Sequence, residues 1–195
     1  MPLWGATDAD ESKPKWLTTA QKKEVFADTT GWVVEGGSTM TGNDNTSAAP
    51  EILAAIGGLT TKIGAADITG VEWITTAADK SAGFTLSVRV RYNEAVTVTG
   101  SPTLAVTNGN QGTGSGRGPH TLVYASGSGS NELVFSLAIA ANNAATNADD
   151  VLTVGAQTIA LAGGTIKDTA DGTTVSARAI SGAQGTACGS ITVVA

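Results

Sequence analysis

From Phe84 the chain alternates apolar and polar residues, Phe84-Thr-Leu-Ser-Val-Arg-Val-Arg-Tyr92. This is the period of two of a strand that turns one face to a core and the other to water. The pattern predicts Thr85, Ser87, Arg89 and Arg91 on the solvent side. Shorter apolar runs predict further strands near 95–98, 103–107, 121–125, 131–140, 151–160, 174–180 and 190–194. A first strand is expected over 67–76, with Trp73 as its core anchor. Gly, Ser, Thr and Asn crowd the intervals, as tight turns require residues that accept positive φ or cap the backbone.

The first 66 residues follow another pattern. Residues 1–17 carry two tryptophans and two internal prolines without a regular period, which predicts an extended arm. Thr18-Thr-Ala-Gln21 is a capping box for a short helix reaching about Ala27. A short strand is expected over 31–35 and a loop over 36–47. A second helix is expected after Ser47, with Pro50 in its first turn, ending at Gly57-Gly58. Residues 59–66 read as a linker, so the chain divides into an anchoring arm over 1–66 and a β domain over 67–195. Ordering such an arm costs about 1–2 kcal/mol per residue, more than two short helices recover. Partner chains are therefore expected to hold it, the alternative being that it folds back on its own β domain. Trp4, Trp16, Leu17, Val25, Phe26 and Trp32 are the expected partner-binding residues, because aromatics dominate the energetics of interfaces.

Composition narrows the function classes. The 195-residue chain has a net charge of -6, which disfavours nucleic-acid partners, since those are held by Lys and Arg on phosphates. No apolar run has the length of a membrane span, and the amino terminus lacks the pattern of a signal peptide. Cys188 is the single cysteine, which rules out a disulfide within the chain.

Candidate chemistry is sparse. The stretch Gly112-Thr-Gly-Ser-Gly-Arg-Gly118 lacks the Lys and following helix of a phosphate loop and reads as an exposed hairpin tip. Arg117 is the residue there expected to make a charge-assisted contact with a partner. Ser126-Gly-Ser-Gly-Ser130 lacks the spacing of a nucleophile elbow and reads as a turn. His120 is the single histidine, so a multi-histidine metal site within one chain is excluded. It is expected to be exposed or hydrogen-bonded at a strand edge, and Cys188 to be a small packing residue. The carboxylates of 147–150 and 168–172 fit Asx-turn capping better than calcium ligation. The chain is expected to be no enzyme and to need no cofactor or metal.

Two resemblances sharpen this reading. The order Asn93-Glu-Ala-Val-Thr-Val-Thr-Gly-Ser-Pro-Thr-Leu104, then Tyr124-Ala-Ser-Gly-Ser-Gly129, then Gly163-Gly-Thr-Ile-Lys-Asp168 closely resembles the bacterial Ig-like repeats of large surface and adhesive proteins. It implies an adhesive or structural module. Together with roughly seven to nine strands in about 125 residues, it gives a mainly β fold class: an Ig-like antiparallel β-sandwich preceded by an extended amino-terminal arm with two short helices. The start Met1-Pro-Leu-Trp-Gly5, with Asp10-Glu-Ser-Lys-Pro-Lys-Trp-Leu-Thr18 and Lys22-Lys-Glu-Val-Phe26, is similar to the amino termini of small virion proteins of tailed phages, especially T4-like phages of marine cyanobacteria. That resemblance implies a place in the virion, assembled in host cytoplasm, with other virion proteins as partners, the major capsid protein foremost, and a homo-oligomer or symmetric array on the particle. A capsid decoration or cement protein leads. The alternatives are a neck, tail or fibre-associated protein, or a cell-surface or carbohydrate-binding module.

Overall fold

A computed structural model of the protein describes residues 13–28, 30–42, 44–55, 65–109, 119–170 and 172–195. Trp4 and Arg117 lie outside them. The helix expected at Thr18 is present as α1 (Thr19–Lys23). Thr18 Oγ1 accepts from the Gln21 amide at 3.3 Å, and Gln21 Oε1 accepts from the Thr18 amide at 2.9 Å. This reciprocal cap satisfies two amides that a helix start would otherwise leave unpaired. The helix stops four residues before Ala27, because the next residues enter strand β1 (Val25–Asp28).

β1 pairs antiparallel with β2 (Gly31–Val34), which pairs with β3 (Glu51–Ala55). The second helix expected after Ser47 is therefore a strand. Glu51-Ile-Leu-Ala-Ala55 is short, and the open edge of β2 offers its backbone a ladder, so pairing overrides the local helix signal. One face of this three-stranded sheet packs Leu17, Val25, Ala27, Trp32 and Val34 into an apolar cluster of its own. Phe26 and Val33 are register partners and so occupy the other face. Over the described residues the amino-terminal segment is thus a small sheet rather than an extended arm.

The remaining strands are β4 (Ile68–Trp73), β5 (Ala78–Asp79), β6 (Phe84–Thr99), β7 (Thr103–Gly109), β8 (His120–Ser126), β9 (Ser130–Ile139), β10 (Val151–Thr153), β11 (Gln157–Thr158), β12 (Thr165–Asp168), β13 (Ala179–Ile180) and β14 (Ser190–Val194). Nine of them form one curled sheet in the order β12-β6-β9-β8-β7-β10-β14-β5, with β4 also on β6. All its pairings are antiparallel except β14 with β5. β11 and β13 pair separately. The strands expected at 84–92 and 95–98 are one sixteen-residue strand, β6. Its register with β9 breaks between Arg91 and Val96, where the alternation falters at Asn93-Glu94. Along its other edge β4 pairs over 88–92 and β12 over 96–99. The expected strand over 151–160 is split into β10 and β11, and only the last two residues of 174–180 pair as β13.

The core lies on one face of the sheet and includes Leu86, Val88, Val90, Leu104, Leu122 and Phe135, all fully buried. Trp73 packs against it, half-buried, with Nε1 donating to the Gly189 carbonyl at 3.3 Å. A second short helix, α2 (Gly182–Cys188), closes this side near β4. Ser181 caps it, and Gln184 Nε2 donates to the Ile68 carbonyl at 2.7 Å. Two glycines in seven residues lower its helix propensity and hide it from the sequence pattern.

Candidate partner-binding surface

The face of the curled sheet opposite the core, over β4, β6 and β9, carries Glu72, Arg89, Arg91 and Glu132. The amino-terminal sheet sits on it. The expectation that Arg89 and Arg91 meet water is corrected for Arg91, which is completely buried, and holds in part for Arg89, whose side chain is 27% exposed. Arg91 forms ion pairs with Glu35 and Glu72, and its Nε lies 3.0 Å from Glu132 Oε1. Arg89 Nη1 lies 3.1 Å from Glu35 Oε1 and its Nε 3.5 Å from Glu132 Oε2. The Phe26 ring caps the cluster, its centroid 4.3 Å from Arg91 Cζ. A guanidinium withdrawn from water needs partners for its donors and gains from an aromatic face. Glu35 and Phe26 supply them from the amino-terminal sheet, so the two units are joined by charge and one ring.

This docking decides where the expected partner-binding residues lie. Leu17, Val25 and Trp32 form the cluster of the small sheet, and Phe26 is spent on Arg91. Of the five that are described, Trp16 alone faces out, at 70% exposure. Trp16 belongs to a turn in which the Leu17 amide donates to the Pro14 carbonyl at 3.2 Å. Leu17 pins one side of this turn in the apolar cluster. On the other side, buried Lys13 donates its Nζ to the Lys22 carbonyl at the end of α1. Lys15 and Lys23 are exposed, and Lys22 is half-buried. The turn and the helix end thus present an indole among lysines.

A second exposed apolar residue has the opposite surroundings. Val194, 54% exposed, pairs in register with Asp79 of the edge strand β5. The exposed Asp149 donates its amide to the neighbouring Val193 carbonyl at 2.8 Å. Asp79 Oδ1 accepts from Ser81 Oγ at 2.7 Å and from the Ser81 and Ala82 amides, and these bonds, the hydroxyl first, hold its carboxyl below the ordinary value. Lys80 beside it is turned to Asn147, its Nζ 3.0 Å from Oδ1.

His120 is hydrogen-bonded, as its lone place in the sequence suggested, but in a buried cluster. Asn108 Nδ2 donates to Asp150 Oδ2 at 3.0 Å and to the Ala145 carbonyl at 2.9 Å. His120 Nε2 lies 3.4 Å from both Asn108 Nδ2 and Thr146 Oγ1. Burial lowers the His120 pKa, against the pull of Asp150. Thr146 is sealed from solvent, so this arrangement holds the ends of β7 and β8 to the 141–150 loop. The expected Asx turns are present: Asp150 Oδ2 accepts from the Asn147 amide at 2.7 Å and Asp168 Oδ1 from the Ala170 amide at 2.6 Å. Cys188 packs against the core, and burial, then the charge of Glu72, push its thiol up to about 12. Among the described residues no three His, Cys, Asp or Glu are grouped to hold a metal, and no helix is long and apolar enough to cross a membrane.

Comparison of the chain with protein-family models, with curated proteins and with solved structures finds no match in any of the three.

Proposed function

We propose that this chain is a non-enzymatic structural protein of a phage virion. In this reading residues 1–66 anchor it to neighbours, and residues 67–195 form an Ig-like β-sandwich displayed on the particle. A capsid decoration or cement protein is the leading assignment, with the major capsid protein as its first partner. The observation that carries the reading is the amino-terminal unit itself. It has its own apolar cluster, is locked to a mainly β body by Arg91, and turns Trp16 outward on a braced turn. The resemblance of that same segment to small virion proteins supports it.

The test is quantitative mass spectrometry of purified particles from a phage that encodes the chain. A copy number comparable with that of the capsid subunits is the expected result. A low copy number moves the protein to the neck or tail, and its absence from purified particles sinks the assignment.

A further inference from the structure

We propose that the surface of Lys15, Trp16, Lys22 and Lys23 docks on the Val194 edge of a second copy of this chain, between Asp79 and Asp149. The proposal rests on the amino-terminal segment being the docking part of the protein, and it names the first partner of that segment.

Three observations carry it. The first is preorganisation. Trp16 lies between Leu17, buried in the apolar cluster, and a turn tied through Lys13 to the end of α1. An indole already held in place loses little freedom on binding, and rigid tryptophans are the commonest energetic centres of interfaces.

The second is charge. Residues 13–23 contain four of the 11 basic residues and no acidic one. The remaining seven basic residues stand against all 17 acidic ones, a net of -10 outside this segment. A second copy therefore presents an acidic body to a basic patch, which speeds encounter and fixes orientation.

The third is local complementarity. The exposed Val194 has an acidic residue on each flank, Asp79 in register beside it and the exposed Asp149 joined by its amide to the adjacent Val193 carbonyl, while the neighbouring Lys80 ammonium is held by Asn147. Its chemistry is the inverse of an indole among lysines. Repeated head to tail, this contact gives a ring or an open chain of copies, as an array on a particle requires.

The experiment is sedimentation velocity on the full chain over a range of concentrations and salt. Self-association that weakens with added salt is expected. Trp16→Ala should weaken it on the order of thirtyfold, the loss typical of an interface centre, with circular dichroism and melting temperature unchanged because the indole is exposed. The sharper arm uses two charge-reversed proteins, Lys15→Glu with Lys23→Glu in one and Asp79→Lys with Asp149→Lys in the other. Each should be monomeric alone, and their mixture should associate, because every patch and edge then meets its charge complement on the other protein. A wild-type chain that stays monomeric at every concentration, or association indifferent to Trp16→Ala, overturns the proposal. Monomeric chain that instead binds phosphatidylserine-containing vesicles or a single-stranded oligonucleotide overturns it in favour of that ligand. Presence in particles with no self-association defeats this inference alone. Self-association with absence from particles defeats the virion assignment alone.

Discussion

At the scale of single residues, the buried His120 makes stability depend on pH in a defined sense. Its folded pKa lies below the ordinary 6.5 because burial disfavours the cation. As pH falls through about 6.5, the unfolded chain takes up a proton that the folded chain refuses, so stability declines. The decline ends once pH passes below the folded value. Urea titrations between pH 7.5 and about 5 should show this loss, and His120→Gln should flatten it. Cys188 gives an independent check. With its thiol at about 12, the native protein carries almost no thiolate at pH 8 and should react slowly with iodoacetamide. In urea, where the thiol returns to its ordinary range near 8.5, alkylation should become fast; rapid alkylation of the native chain would refute the buried placement. The packing place expected of Cys188 is the one it occupies, whereas the burial of His120 was not legible in the sequence. The partners of His120 lie 12 and 26 residues away, on β7 and in the 141–150 loop, and no local pattern encodes them.

At the scale of elements, the turn between β8 and β9 offers a matched pair of substitutions. Gly127 has φ +108, and a Cβ there would meet the Glu132 carbonyl oxygen at 1.9 Å. Gly129, two residues on, has φ +86 and open space around it. Gly129→Ala should cost only the strain of a left-handed backbone, about 1–3 kcal/mol. Gly127→Ala carries a similar strain plus a clash with backbone that cannot swing away, so it should melt at a clearly lower temperature. Equal melting temperatures would show that the turn yields. The elements readable from sequence were those whose partners are implied by their own pattern. Phe84–Tyr92 alternates cleanly, and Thr18 and Gln21 form a cap within four residues. β3 and α2 were not readable for the opposite reason. Glu51–Ala55 is a strand because β2 lies beside it, and Gly182–Cys188 is a helix because Ser181 caps it and β4 receives Gln184.

At the scale of the whole molecule, Arg91 joins the amino-terminal sheet to the curled sheet. Alternation correctly placed it opposite the core. It did not reveal that a second layer covers that face, because Phe26, Glu35, Glu72 and Glu132 are scattered along the chain. Removing the guanidinium leaves the three carboxylates of Glu35, Glu72 and Glu132 with Arg89 as the remaining cation of the cluster and opens a void beneath Phe26. Arg91→Ala should therefore destabilise the protein by about 3–5 kcal/mol, the cost of breaking a buried ion cluster from one side. Chemical denaturation measures it, and a loss under about 1 kcal/mol would mean that the sheet is not clamped there. Among the sequence-derived anchors, Trp16 was identified as a surface residue through its type alone. What separated it from Leu17, Val25, Phe26 and Trp32 was the small sheet that consumed the other four.

The length of β6 has a mechanical meaning. It is bonded to β9 on one edge and to β4 and then β12 on the other, and Arg91 lies near its middle. A pull on the amino-terminal unit is borne by that arginine as well as by the chain that runs on into β4. Tension directed along β6 loads the ladders on both edges in shear, so that many bonds share it at once, where a peeling force would open them one after another. The clamp is thus set where the sheet resists traction best.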